Sequence, residues 1–157
     1  MTGAPASGDR LRLRAEDAED LAVIAACLQD SLLPLADMAY VPDEGRFVFV
    51  AGRFKWESAP EGKRKGPFER VHCGVAFDGV RGVAYRGIDR DDSGRMHEIL
   101  TIAEAGPAAA GGNRYLEIVL AGGGTIRLEV ERILCHLEDL DESWPTVWRP
   151  RHPEGET

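Results

Sequence analysis

Apolar and basic positions alternate through LRLRAE (residues 11–16), as they do on a strand with one buried face. Asp17 then stands where a helix N-cap belongs, with Asp20 three positions on in capping-box style. Leu21, Ile24, Ala25, Leu28 and Leu32 recur at helical spacing, which predicts one amphipathic helix of roughly four turns. Pro34 lacks an amide hydrogen and is expected to end or kink it.

From Tyr40 the period becomes two. YVPDEGRFVFVAGRFKWE reads as a strand, a turn at Pro42–Gly45 and a second strand. Phe47, Phe49 and Ala51 share one face of that second strand and Val48 and Val50 the other, so it is predicted to be covered on both sides. VHCGVAFDGVRGVAYRGID predicts two strands about a turn near Asp78–Gly79, IDRDDSGRM a charged turn, and HEILTIAEA another strand. YLEIVLA and TIRLEV flank the glycines 122–124 as a further hairpin. Breaks at hairpin-like intervals predict a largely antiparallel meander. ERILCHLEDL fits two patterns: a helical stripe through Val130, Ile133, Leu134, Leu137 and Leu140, and strand alternation of Ile133, Cys135 and Leu137. The stripe points to a second helix near 130–141.

These elements define an α+β fold, an N-terminal amphipathic helix packed on a mainly antiparallel, curled sheet of six to eight strands. The expected organisation is a flexible tail at 1–10, a single domain at 11–141, and an extended Trp/Pro-rich tail at 142–157. Trp144 and Trp148 are expected to pack that tail back onto the body, because indole burial contributes a few kcal/mol.

Composition narrows the function classes. A chain of 157 residues with 43% hydrophobic content suits one globular core. A net charge of −8 opposes non-specific nucleic-acid binding, which needs a positive field. Three cysteines, Cys27, Cys73 and Cys135, make an odd count that fits reduced thiols in a cytoplasm better than a disulfide framework. MTGAPASGDR has no apolar core of signal-peptide length, and no run approaches the ~18 apolar residues of a membrane span.

Candidate chemistry is sparse. His72–Cys73 and Cys135–His136 carry zinc-ligand types, but neighbours on a strand point to opposite faces and cannot share one ion. Asp89, Asp91, Ser93 and Gly94 resemble the start of a calcium loop, yet Leu100 stands at position 12, where calcium requires a bidentate Glu. The glycines 122–124 precede a strand rather than a helix and bring no lysine, unlike a phosphate loop. His97–Glu98 would be split by strand alternation, and no nucleophile motif is present.

A basic stretch interleaved with aromatics, from Arg53 to Arg70, could grip single-stranded nucleic acid, although Glu57, Glu61 and Glu69 dilute it. With the tail tryptophans it forms the expected interaction surface: Arg53, Lys55, Trp56, Lys63, Arg64, Lys65, Trp144 and Trp148.

GIDRDD, HEILTIA and AGGGTIRLEVERILCHLEDL, followed by WPT and RPRHP, resemble an alphaproteobacterial family catalogued only as domain of unknown function 2948. RFKWE and LRLRAEDAEDLAVIAACLQD fit it as well, so the resemblance covers roughly residues 11–153. It implies a cytosolic bacterial protein of about this length and carries over no functional residue. The expected function is noncatalytic binding or protein interaction, with no metal, cofactor or membrane, and with a protein partner or a second copy of the chain. The alternative is an enzyme or binder for a small phosphorylated, acidic or basic metabolite.

Overall fold

The structure is a computed structural model that describes residues 10–56, 65–92, 94–106, 112–140 and 144–148, with the backbone alone at 65–68 and 144–148. Strand β1 (Arg12–Ala15) leads through Asp17 into helix α1 (Ala18–Leu28). The Asp17 carboxylate accepts from the Asp20 amide at 2.7 Å, satisfying one of the donors a helix start leaves open. Leu21, Ile24, Ala25 and Leu28 are buried as their spacing predicts. The helix nevertheless stops a turn short of Leu32. Asp30 adopts φ 66°, its amide donates to the Ile99 carbonyl, and the Ile99 amide donates to the Ser31 carbonyl. Leu32 thereby enters strand β2 (Leu32–Pro34) opposite Gly52 and Glu98, so sheet pairing overrides the helical stripe.

A turn of 3-10 helix at Leu35–Asp37 leads into β3 (Met38–Val41), which forms the expected hairpin with β4 (Arg46–Phe54). Gly45 closes it at φ 60°, where a side chain would be strained. The strands that follow are β5 (Lys65–Phe77), β6 (Val80–Arg86), β7 (Met96–Glu104), β8 (Arg114–Leu120), β9 (Thr125–Val130), β10 (Cys135–Asp139) and β11 (Trp144–Trp148). Every pairing is antiparallel.

Lateral order runs β1-β10-β5-β4-β2-β7-β8-β9-β6, with β3 also on β4 and β11 also on β5. Among the described residues the two end strands do not pair, so the sheet is open. The inward residues of both halves nonetheless join one buried cluster. Phe47, Phe49, Val75 and Phe77 come from the first half, Leu116, Ile118, Ile126 and Leu128 from the second, and Ile24 and Leu28 from α1. Each such side chain contributes about 1.5–3 kcal/mol on burial.

Three expectations are corrected. Among the described residues there are eleven strands rather than six to eight, because short β2 precedes the Leu35–Asp37 turn and two strands arise near the C-terminus. The second helix near 130–141 does not form. Ile133, Cys135, Leu137 and Asp139 alternate inward, while Leu140 of the helical stripe is 45% exposed. Period two wins because β10 is held between β1 and β5.

Nor is the sheet a simple meander. At Asp78–Gly79 the chain crosses between halves, and β6 pairs with β9 instead of β5. The crossing is braced by the returning chain: the Asp78 amide donates to the Leu134 carbonyl, and the Glu131 amide to the Gly79 carbonyl.

The sheet also continues past residue 141, since β11 pairs with the first half of β5 through Trp144↔Arg70 and Trp148↔Lys65. The expected 1–10 tail lies outside the described residues except for Arg10. Among the described residues no helix is long and apolar enough to cross a membrane.

Candidate binding surface

Strand alternation places Arg53 in step with Phe47, Phe49 and Ala51, so the guanidinium points inward. It meets Asp139, which points inward from β10. Nε and Nη2 donate to the two carboxylate oxygens at 2.8 Å each, and neither side chain is more than 1% exposed. The Leu11 amide donates to the same carboxylate at 2.8 Å, while the Asp139 amide donates to the Leu11 carbonyl. A charge pair taken from water survives only with such geometry and filled hydrogen-bonding capacity. It ties three separated segments together, and its role is architectural.

Cys73 lies between them, opposite Ala51 on β4 and Asp139 on β10. Burial pushes its thiol up to about 12, with Arg53 pulling the other way. Burial, then the Asp78 charge, pushes Cys135 upward too. Neither thiol is poised as a nucleophile, since the reactive species is the thiolate. His72 is exposed on the opposite face from Cys73, and Cys135 is buried while His136 is half-exposed. Among the described residues, no group of three or more His, Cys, Asp or Glu could hold a metal ion.

The other motifs are structural where described. The Asp89 carboxylate accepts from the Asp91 amide at 3.1 Å, closing an Asx turn, and Leu100 lies in β7; Ser93 is outside the described residues. The glycines 122–124 form the β8–β9 turn, where the Leu120 amide donates to the Gly124 carbonyl at 2.8 Å. His97 is buried with Ile99, whereas Glu98 is half-buried on the other face. Burial and then Arg95 hold the His97 imidazole below its ordinary range.

The basic–aromatic surface expected from the sequence does not assemble as drawn. Arg53 is withdrawn into the ion pair, and Lys55 is 5% exposed with Nζ 3.4 Å from Glu69. Both are corrected: strand direction aims Arg53 inward, and the Lys55 ammonium turns to a carboxylate on the neighbouring strand. Trp56 is half-buried, edge-on to Phe54 at 4.6 Å, and its indole N–H donates to the Gln29 carbonyl at 3.1 Å. Arg70 lies 5.7 Å over the Phe54 ring and donates to the Gly52 carbonyl at 3.0 Å. Burial lowers its pKa against the opposing influence of Asp30 and Glu98. Lys63 and Arg64 lie outside the described residues, and Lys65, Trp144 and Trp148 are described only as strand backbone.

A different surface emerges on the outer side of β3, β4, β5 and β10. Register aligns Arg14, His136, Ala76, Val48 and Ala39 in one lateral row, and Arg12, Glu138, Gly74 and Val50 in the next. Val48, Val50, Gly74, Ala76 and Leu140, with Asp37, His136 and Glu138, line a shallow groove of ≈ 280 Å³. Val48 and Val50 are half-buried rather than covered, which corrects the expectation that β4 is enclosed on both sides. Their apolar alternation carried the signal, but the same pattern suits a buried face and a docking face. At one end, Asp78 accepts from Arg46 Nε at 2.9 Å and faces His136 Nδ1 at 3.7 Å. A more polar recess of ≈ 500 Å³ lies at the hairpin corner, where Arg81 and Glu131 pair at 3.0 Å beside Tyr40, Asp43 and Glu44.

Fold and surface together define an α+β domain, an open antiparallel sheet bent round a packed core with one partly apolar outer face. The chain belongs to the family described as Protein of unknown function (DUF2948), whose model matches residues 11–152. Comparison with curated proteins and with solved structures finds no match in either.

Proposed function

We propose that this chain is a noncatalytic protein-binding domain that engages its partner through the outer face of β3, β4, β5 and β10. The observation that carries the reading is the apolar strip Val48, Val50, Ala76 and Leu140, left half-exposed or exposed on a sheet whose other face packs against the core. Small residues in mid-strip, Gly74 and Ala76, open room for incoming side chains, and charged residues border it. An apolar centre with a polar rim is the usual anatomy of a protein interface. Cys27, Cys73 and Cys135 form no disulfide, which suits a reducing cytoplasm.

The test is site-specific photo-crosslinking in cells, with a benzophenone amino acid at Val50 and, as control, at exposed Ala84 on β6. A discrete protein adduct from Val50 and none from Ala84 is expected. No adduct at Val50, together with a rise in melting temperature on adding a phosphorylated or charged metabolite, would replace this reading with the small-molecule one.

A further inference from the structure

We infer that the partner on this face is a second copy of the chain, packed sheet to sheet about a two-fold axis parallel to the strands. The inference rests on the proposed binding role of the face and names its occupant. Its basis is the order of charges along one lateral row. Arg12 on β1, Glu138 on β10, Gly74 on β5 and Val50 on β4 lie side by side. Asp37, one residue before the Met38↔Phe49 pair, lines the groove on the far side of Val50. The row therefore carries the Arg12–Glu138 ion pair at one rim, an acid at the other and its smallest residue in the middle.

A two-fold axis along the strands above Gly74 reverses the row on itself. Arg12 of each copy then faces Asp37 of the other, and Glu138 lies over Val50. Arg12 can take a second carboxylate, because its side chain is 79% exposed even while it donates to Glu138 at 2.8 Å. A uniformly basic peptide would match Asp37 and be repelled by Arg12, and an acidic one the reverse. A copy of the same surface matches both rims, as an isologous interface must. Gly74 itself brings no side chain to the axis, where the Leu140 side chain lies beside it.

The contact is small. Five strands about 4.8 Å apart, crossed over about five residues, present roughly 300 Å² of sheet. Stable dimers bury about 800 Å² per partner, so a reversible, concentration-dependent dimer is expected.

Sedimentation velocity of the full chain, over a hundredfold concentration range up to roughly 500 µM, tests this. Wild type should pass from monomer to dimer. Gly74→Arg should remain monomeric while keeping its melting temperature, since a Cβ at Gly74 meets nothing closer than Leu140 at 3.5 Å. Asp37→Arg should weaken the dimer about tenfold by placing like charges together, and Arg12→Asp combined with Asp37→Arg should restore most of it. A monomer at every concentration overturns the second copy, and so does a dimer indifferent to both Gly74→Arg and Asp37→Arg. The Val50 photo-crosslink separates the two levels: an adduct to a different protein overturns self-association and leaves the binding role standing, whereas no adduct at all removes both.

Discussion

Arg53 and Asp139, 86 residues apart in the chain, meet as a two-pronged ion pair with no water access, and the Leu11 amide completes the carboxylate's shell. A buried pair of this kind is costly to break and cheap to replace. Arg53→Met or Asp139→Asn leaves one partner buried without its counter-charge, and each is expected to cost about 3–5 kcal/mol. Arg53→Met with Asp139→Leu removes both charges and should be markedly less destabilised than the sum of the two single changes. Urea denaturation of the three variants checks this. A double mutant no better than that sum would show that the pair is not the unit.

The thiols offer a second test. Cys73 and Cys135 are fully buried, with pKa values raised by burial, whereas Cys27 is half-buried. Iodoacetamide at about pH 8 should therefore label Cys27 first and leave the other two untouched until the protein unfolds. Mass spectrometry of the native and denatured samples counts the adducts. Rapid native labelling at Cys73 would contradict the packing between Ala51 and Asp139.

His97 predicts a pH dependence whose sign is set by its lowered pKa. In the unfolded chain the imidazole titrates near about 6.5. Between that pH and the lower folded value, the unfolded state binds a proton that the folded state does not. Stability should be full above the unfolded value and fall as pH drops through this window, then level off below the folded value. His97→Leu should flatten that part of the profile. Chemical denaturation of both proteins at a series of pH values compares them, and parallel curves would refute the assignment.

Two glycines should respond differently to alanine. Gly87 sits at φ +71°, and a Cβ there would lie 2.9 Å from the Gly123 carbonyl oxygen. Gly87→Ala combines backbone strain with a clash against another turn, and should cost about 1–3 kcal/mol. At Gly74 the nearest atom to an added Cβ is 3.5 Å away, so Gly74→Ala should be close to neutral. Thermal unfolding distinguishes them directly.

Much of the fold was readable from local chemistry. The Asp17 cap, the Leu21–Leu28 stripe, the Pro42–Gly45 hairpin and the 122–124 turn each depend on residues close together in sequence. The split of His72 from Cys73 was readable for the same reason, because alternation along a strand needs no knowledge of its neighbours. The candidate surface was less legible. Val48 and Val50 announced an apolar outer face, but whether another layer covered it depended on where α1 and the second half of the sheet went. Arg53 and Lys55 looked like surface cations because a basic residue is usually solvated, and Asp139 and Glu69 are distant in sequence from those partners.

What the amino-acid order determined by itself was the period of each segment, its caps and its turns, since these arise from contacts within a few residues. Only the tertiary structure decided that 135–139 is a strand, that Asp78–Gly79 crosses between sheet halves, and that Arg53 is buried. Each of those outcomes is set by a partner strand or counter-charge dozens of residues away. A helical stripe and a strand alternation can coexist in one short segment, and the energy that chooses between them comes from the neighbours it meets.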